Sequence, residues 1–249
     1  MKVVVVIPAR LGSSRLPRKV ILDICGKPMV QHVYELAKQA KNIDEVYIAT
    51  DSTEVEKICK NFTSNVIMTS KKHESGTDRI AEAIERISCD YVINVQGDEP
   101  LMDSELIDSL AFTLKKEKVT MISAMHKIET SKELKTPNSV KVTTDINGFA
   151  LYFSRAIIPF NRDAIEEILS ADKLLPEYKF YKHIGIYGYS TDFLLEYANL
   201  EQTPLELSEK LEQLRVLENG HKIKMLETDY KPIGVDTEED LIRVRKILK

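Results

Sequence analysis

The stretch Val3-Val4-Val5-Val6-Ile7-Pro8-Ala9-Arg10-Leu11-Gly12-Ser13-Ser14-Arg15-Leu16-Pro17-Arg18-Lys19 passes from an apolar run to a basic loop. The run from Val3 to Ile7 is continuous and mostly β-branched, which suits a strand buried on both faces of a parallel sheet. Ligands of such sheets bind beyond the carboxyl ends of the strands. At that end Gly12, Ser13 and Ser14 put little bulk over the backbone, so amide N–H groups can approach an anion. Arg10, Arg15, Arg18 and Lys19 add positive charge on a chain whose net charge is −4. A polyphosphate would account for that cluster. A solvated basic loop fits the same residue types, and they leave both readings open. The spacing matches neither the P-loop nor the dinucleotide fingerprint.

Outward from this loop, strands and helices alternate. Helices are predicted over 28–40, 51–59, 79–87 and 106–114, and strands over 45–50, 65–68, 91–95 and 119–126. That rhythm predicts an α/β fold with a mostly parallel, three-layer sheet. After about residue 128 the rhythm changes. Strands over 139–144 and 149–154 flank Asn147-Gly148, a strong hairpin signal. A helix over 164–171, a strand over 182–190, a helix over 205–218, a strand over 222–227 and a closing helix over 238–248 follow. The second half therefore reads as a smaller mixed insertion that returns to the first.

A chain of 249 residues, 43% hydrophobic and 30% charged, has the composition of an ordinary soluble globular protein. The acidic balance argues against nucleic-acid binding, which needs a dominant basic face. Cys25, Cys59 and Cys89 form no Cys-x-x-Cys pair and read as thiols in a reducing compartment. No leader pattern precedes the first strand and no apolar run reaches membrane-spanning length. The expectation is a cytoplasmic protein without stable membrane insertion.

Three further segments could carry chemistry. Gln96-Gly97-Asp98-Glu99-Pro100 follows a buried strand, where a carboxylate could hold Mg²⁺ beside phosphates or simply close a turn. Gly234-Val235-Asp236-Thr237 offers a second carboxylate before the last helix, where Asp236 with Glu239 also resembles a capping arrangement. If both loops share one sheet edge, Asp98 and Asp236 could hold one metal facing a triphosphate on the first loop. Ser75-Gly76-Thr77-Asp78-Arg79 opens a helix and reads as a capped start or as a contact to a nucleoside. His183 and Tyr187 fall on one face of a strand, where spacing alone favours a core histidine. Arg155 ends Ala150-Leu-Tyr-Phe-Ser-Arg155 and could be a surface cation.

Taken together these motifs resemble the 3-deoxy-manno-octulosonate (Kdo) cytidylyltransferases. The resemblance runs in order through Ile-Pro-Ala-Arg and Ser-Ser-Arg-Leu-Pro (7–17), Gly-Lys-Pro-Met (26–29), Ala-Thr-Asp (49–51) and Ser-Gly-Thr-Asp-Arg (75–79). It continues through Asn-Val-Gln-Gly-Asp-Glu-Pro (94–100), Ala-Leu-Tyr-Phe-Ser-Arg-Ala (150–156) and Lys-His-Ile-Gly-Ile-Tyr-Gly-Tyr (182–189). Leu-Glu-Gln-Leu-Arg (211–215) and Gly-Val-Asp-Thr (234–237) complete it. The first loop is shared by many nucleotidyltransferases, whereas the motifs after residue 140 point to the Kdo branch.

The resemblance implies a single GT-A-like nucleotidyltransferase domain over 1–249. Residues 1–128 would be its nucleotide-binding part, 129–230 its sugar-binding and dimerisation part, and 231–249 the return to the core. It implies that CTP and Kdo give CMP-Kdo and diphosphate for lipopolysaccharide assembly. Arg10 and Lys19 would neutralise the triphosphate, with Asp98 and Asp236 on Mg²⁺ and a second Mg²⁺ on the β- and γ-phosphates. The nucleotide set it implies is Ala9, Arg10, Gly12, Ser13, Ser14, Lys19, Ser75, Gly76 and Asp78. The sugar set is Gln96, Arg155, His183, Tyr187, Glu212 and Gln213, and the assembly is a homodimer.

Three positions depart from the family pattern. Arg18 and Val20 stand where glycine and proline usually flank the lysine, and Glu74 where a glutamine is common. None touches the expected metal ligands. A cytidylyltransferase for a sialic-acid-like or amino-substituted acid, a GT-A glycosyltransferase and a catalytically silent nucleotide sensor are the competing readings.

Overall fold

The computed structural model describes every residue except 13, 14 and 74. In chain order the first elements are β1 (Val3–Pro8), the short hairpin β2 (Asp23–Ile24) and β3 (Lys27–Pro28), α1 (Met29–Ala37), β4 (Glu45–Thr50) and α2 (Thr53–Cys59). Next come β5 (Val66–Met68), α3 (Gly76–Ile84), β6 (Tyr91–Asn94), α4 (Ser104–Glu117) and β7 (Met121–Lys127). Then follow α5 (Ser131–Lys135), β8 (Lys141–Thr144), β9 (Ala150–Ser154), α6 (Ile165–Ser170) and the long β10 (Tyr181–Ser190). The chain closes with α7 (Thr191–Ala198), α8 (Pro204–Glu209), α9 (Leu214–Glu218), β11 (Lys224–Glu227) and α10 (Glu238–Ile247).

These elements form two compact units, residues 1–118 with 186–198 and 231–249, and residues 119–185 with 199–230. The second unit thus begins at 119 rather than 129 and leaves 186–198 to the first. Its opening strand β7 pairs in parallel with β11, which keeps 119–128 with the later chain. The second half of β10 instead pairs with β6.

In the first unit β1 lies between β4 and β6, parallel to both, with β5 parallel on the far side of β4. Tyr187 to Ser190 add an antiparallel strand beside β6. Val3 to Ile7 are completely buried, as the apolar run requires of a central parallel strand. Helix α1 buries Met29, Val30, Val33, Tyr34 and Ala37, one face at helical spacing. Ser52 caps α2, and Asp103 caps α4. This is the mostly parallel α/β fold expected.

In the second unit β8 and β9 form the antiparallel pair read from Asn147-Gly148, and Tyr181 and Lys182 pair with β8. The helix expected over 205–218 is instead two helices, α8 and α9. Lys210 adopts a left-handed conformation (φ 55°) and donates its N–H to Glu206, ending α8. Leu211 and Leu214 are both buried across the break, so the apolar period continues although the helix does not. Glu206 takes a bidentate bond from Arg215 at 2.8 and 2.6 Å, tying the two helices together. Short α5 and α7 were not expected from the sequence pattern.

Candidate active site

A cleft of roughly 260 Å³ opens in the first unit at the carboxyl ends of β1 and β6. Arg10 and Gly12 reach it from the loop after β1, and Gln96, Gly97 and Asp98 from the loop after β6. The two loops lie very close together. A Cβ on Gly97 would stand 2.8 Å from the Pro8 carbonyl oxygen, so only glycine fits there unless the backbone shifts. Lys19 enters from a short 3₁₀ turn, Lys19–Ile21, anchored by buried Val20. Ser75 and Gly76 present the start of α3.

Asp236 arrives from the far end of the chain. Val235 donates its N–H to the Asp98 carbonyl at 2.9 Å. The Val235 side chain packs with Leu16, Ile24, Met29, Leu241 and Val244 beneath the loop. Thr237, not Asp236, caps α10, in a reciprocal box with Asp240. The capping reading of Asp236 therefore gives way, and its carboxylate is left to face the cleft.

There the charges pair. Lys19 Nζ donates to Asp98 Oδ2 at 2.5 Å and to Asp236 Oδ1 at 2.9 Å. Burial pulls the Lys19 ammonium towards losing its proton, but the two carboxylates outweigh that, and its pKa is raised. Arg15 reaches the same Asp236 oxygen at 3.1 Å, with both groups exposed. Arg18, the fourth cation of the loop, pairs with Glu54 and is not among the cleft residues. Among the described residues no group of three or more His, Cys, Asp or Glu side chains gathers to hold a metal. The carboxylates of Asp98 and Asp236 nevertheless meet at one cation. Two hard oxygen donors suit Mg²⁺, which completes its shell with water and phosphate oxygens.

Of the remaining nucleotide expectations, Ala9 is buried and spends its N–H on Ala49. Asp78 accepts from the Ser75 N–H while Ser75 Oγ accepts from the Asp78 N–H, a capping box. Neither Ala9 nor Asp78 lines the cleft. Ser13, Ser14 and the departure at Glu74 lie outside the described residues. Five lining residues were not singled out as site residues: Pro8, Arg15, Val20, Arg79 and Gly97. All but Val20 sit inside a quoted motif, which was the available signal. Arg79 is almost fully buried and donates to Asp51 at 2.8 Å and Thr69 at 2.6 Å, which ties the start of α3 to the end of β4.

The sugar expectations fall in both units. Gln96 lines the cleft, and Tyr187 lies opposite Asn94 in the first unit, stacked on Tyr189 with ring centroids 6.1 Å apart. Arg155, His183, Glu212 and Gln213 belong to the second unit. His183 is buried, hydrogen-bonded with Ser123 at 2.9 Å and edge-on to Phe153, and burial pushes its pKa down to about 3. Arg155 donates to the carbonyls of Glu209, Pro137 and Lys210. Its own carbonyl accepts from buried Lys141 at 2.7 Å. Gln213 is buried and half-buried Glu212 adjoins it, both between α8 and α9.

Comparison with known proteins gives a consistent result. The family described as cytidylyltransferase matches residues 4–223. A 3-deoxy-manno-octulosonate cytidylyltransferase of Geobacter sulfurreducens is 46% identical over 250 residues, covering 100% of both chains. The Haemophilus influenzae protein of the same name is 46% identical over 252 residues, covering 100% of this chain and 99% of its own. A solved CMP:2-keto-3-deoxy-manno-octonic acid synthetase complexed with CTP superposes with a TM-score of 0.91 at 40% identity, covering 100% of this chain and 98% of that one. A 4-diphosphocytidyl-2C-methyl-D-erythritol synthase of Anaerococcus prevotii shares the fold alone, at TM-score 0.61 and 15% identity over 99% and 96% of the two chains.

Proposed function

The chain belongs to the 3-deoxy-manno-octulosonate cytidylyltransferases, and from that membership we propose that it converts CTP and Kdo to CMP-Kdo and diphosphate. The observation that supports this most is the meeting of Asp98, Lys19 and Asp236 in a cleft that also carries Arg10 and the start of α3. Such a site needs no covalent nucleophile. The anomeric hydroxyl of the sugar acid attacks the α-phosphorus in line, one P–O bond forms, and the bond to diphosphate breaks. Both partners are anions, so positioning and charge neutralisation supply most of the catalysis.

Arg10 and Lys19 meet the triphosphate, assisted by the Gly12 amide and by the helix start at Ser75 and Gly76. Asp98 and Asp236 would hold Mg²⁺, which would supply charge neutralisation for the transferred phosphate. In the first unit Gln96 and Tyr187 are the candidates for the sugar; in the second they are Arg155, His183, Glu212 and Gln213. A neutral His183 is suited to reading a hydroxyl, and the guanidinium of Arg155 to pairing with the sugar's carboxylate. The product serves lipopolysaccharide assembly in the cytoplasm, and the protein works as a homodimer built on the second unit. That unit exposes Leu151 and Phe160, which fits an interface.

Diphosphate release with CTP and Mg²⁺, offering Kdo, 8-amino-Kdo and N-acetylneuraminate in parallel, tests this reading. Release with Kdo, stopped by EDTA, is the expected result. Release only with another acid would reassign the sugar, and silence with all three would leave the cleft without this chemistry.

A further inference from the structure

The position that joins Asp98 and Asp236 is held by a cation from the chain itself. Lys19 Nζ sits 2.5 Å from one carboxylate and 2.9 Å from the other, and its side chain is 11% exposed against 34% and 46% for the two aspartates. The Lys19 side chain is therefore more deeply buried than the acids it neutralises. Without it, two carboxylates would face each other at a partly dehydrated site, each raising the cost of ionising the other. With it, the pair is already compensated.

That compensation conflicts with metal binding. A divalent ion would draw on the same two carboxylates, at about 2.1 Å from their oxygens. An ammonium left between them would compete for their lone pairs and repel the ion. Arg15 is a weaker competitor, because its bond to Asp236 is exposed to solvent and screened. The backbone at Lys19 is fixed by the Ile21 N–H to Arg18 and the Leu22 N–H to Lys19, and by buried Val20. Only the flexible four-carbon stem of the side chain has to swing.

We infer that Lys19 is the resident counter-ion of the Asp98–Asp236 pair, so that a divalent cation loads there only when a nucleoside triphosphate draws the lysine away. This rests on the reading above, in which the two aspartates hold the metal and Lys19 meets the triphosphate. It adds an order to those events. The nucleotide-free site resists the metal, and the triphosphate, by taking over the ammonium, opens the carboxylates to it.

Mn²⁺ binding, followed by loss of the free-ion EPR signal, tests the idea without turnover. Nucleotide-free wild type should bind Mn²⁺ weakly. Lys19→Met should bind it about tenfold more tightly, a change of about 1.4 kcal/mol, and adding Asp98→Asn should remove the gain. Equal or weaker binding by Lys19→Met overturns the inference, as does a gain that survives Asp98→Asn. A measurement on the unsubstituted protein guards against misfolding. With labelled lysines in EDTA, CTP should shift the Lys19 Cε resonance, identified by its loss in Lys19→Arg. A resonance unmoved while CTP is bound overturns the inference on its own. Failure of the underlying metal reading looks different: Asp98→Asn would then leave Mn²⁺ uptake in the presence of CTP unchanged.

Discussion

Val235 donates its backbone N–H to the carbonyl oxygen of Asp98 at 2.9 Å, joining the loop after β6 to the segment before α10. The bond fixes Asp98 and Asp236 at one edge of the sheet, because Asp236 is the next residue along. The apolar cluster of Val235 with Leu16, Met29, Leu241 and Val244 holds that segment down. The same cluster seats the basic loop, since Leu16 lies between Arg15 and Lys19. Packing thus brings the segments of Asp236, Arg15 and Lys19 together through one cluster, and the Val235 bond adds Asp98.

Asp98→Asn should leave the fold intact and reduce turnover at least about 10²-fold, because a neutral amide replaces a hard anionic oxygen at the proposed metal position. Steady-state kcat with a melting curve decides it. Near-normal turnover in a folded variant would remove Asp98 from the metal role.

Gly97→Ala tests how closely the two loops must approach. Its new Cβ would meet the Pro8 carbonyl oxygen at 2.8 Å, so backbone has to move. A loss of about 1–3 kcal/mol of stability is expected from such overpacking. Asp98 adjoins the shifted residue, and a displacement of about 1 Å can cost about 10² in rate. Gly185→Ala is the control, since a Cβ there meets nothing within 4 Å. Equal urea midpoints for the two variants would refute the close approach.

The cleft was more legible than the second unit, for physical reasons. Arg10 and Asp98 follow apolar runs that announce buried strands, and in a parallel sheet those ends collect ligands, whereas Asp236 was marked only by the helix start after it. What spacing could not show was the pairing of side chains across the chain. Lys19 read as a phosphate ligand, and nothing in its neighbours indicated that it bridges Asp98 and Asp236. Asp236 was equally ambiguous until Thr237 took the capping role. In the second unit the period of Leu205, Leu211 and Leu214 runs straight through Lys210, so a broken helix reads as one. His183 was legible as a core histidine from strand alternation, because burial is what alternation reports.

Arg155→Ala should raise KM for Kdo about 10–100-fold, the value of one charge-assisted contact, with KM for CTP little changed. Three backbone carbonyls already engage the guanidinium, yet its fork carries five N–H donors, so capacity for a carboxylate remains. Arg155→Lys should not rescue binding, since a point charge cannot reproduce the fork. A larger effect on CTP than on Kdo would move Arg155 to the nucleotide.

His183 makes stability depend on acid. Burial lowers its pKa from 6.5 to about 3 in the folded protein. Between those values the unfolded chain takes up a proton that the folded chain refuses, so stability falls as the pH drops from about 6.5 towards 3. The slope from this one group is at most about 1.4 kcal/mol per pH unit, and it fades over about one unit above pH 6.5. Urea unfolding at pH 5 and pH 7 reads the effect directly. His183→Gln keeps a polar partner for Ser123 but cannot charge, so it should lose less stability between the two values than wild type. Equal losses would mean that His183 already carries its proton inside the fold, and its proposed role as a neutral reader of a sugar hydroxyl would fall with that result.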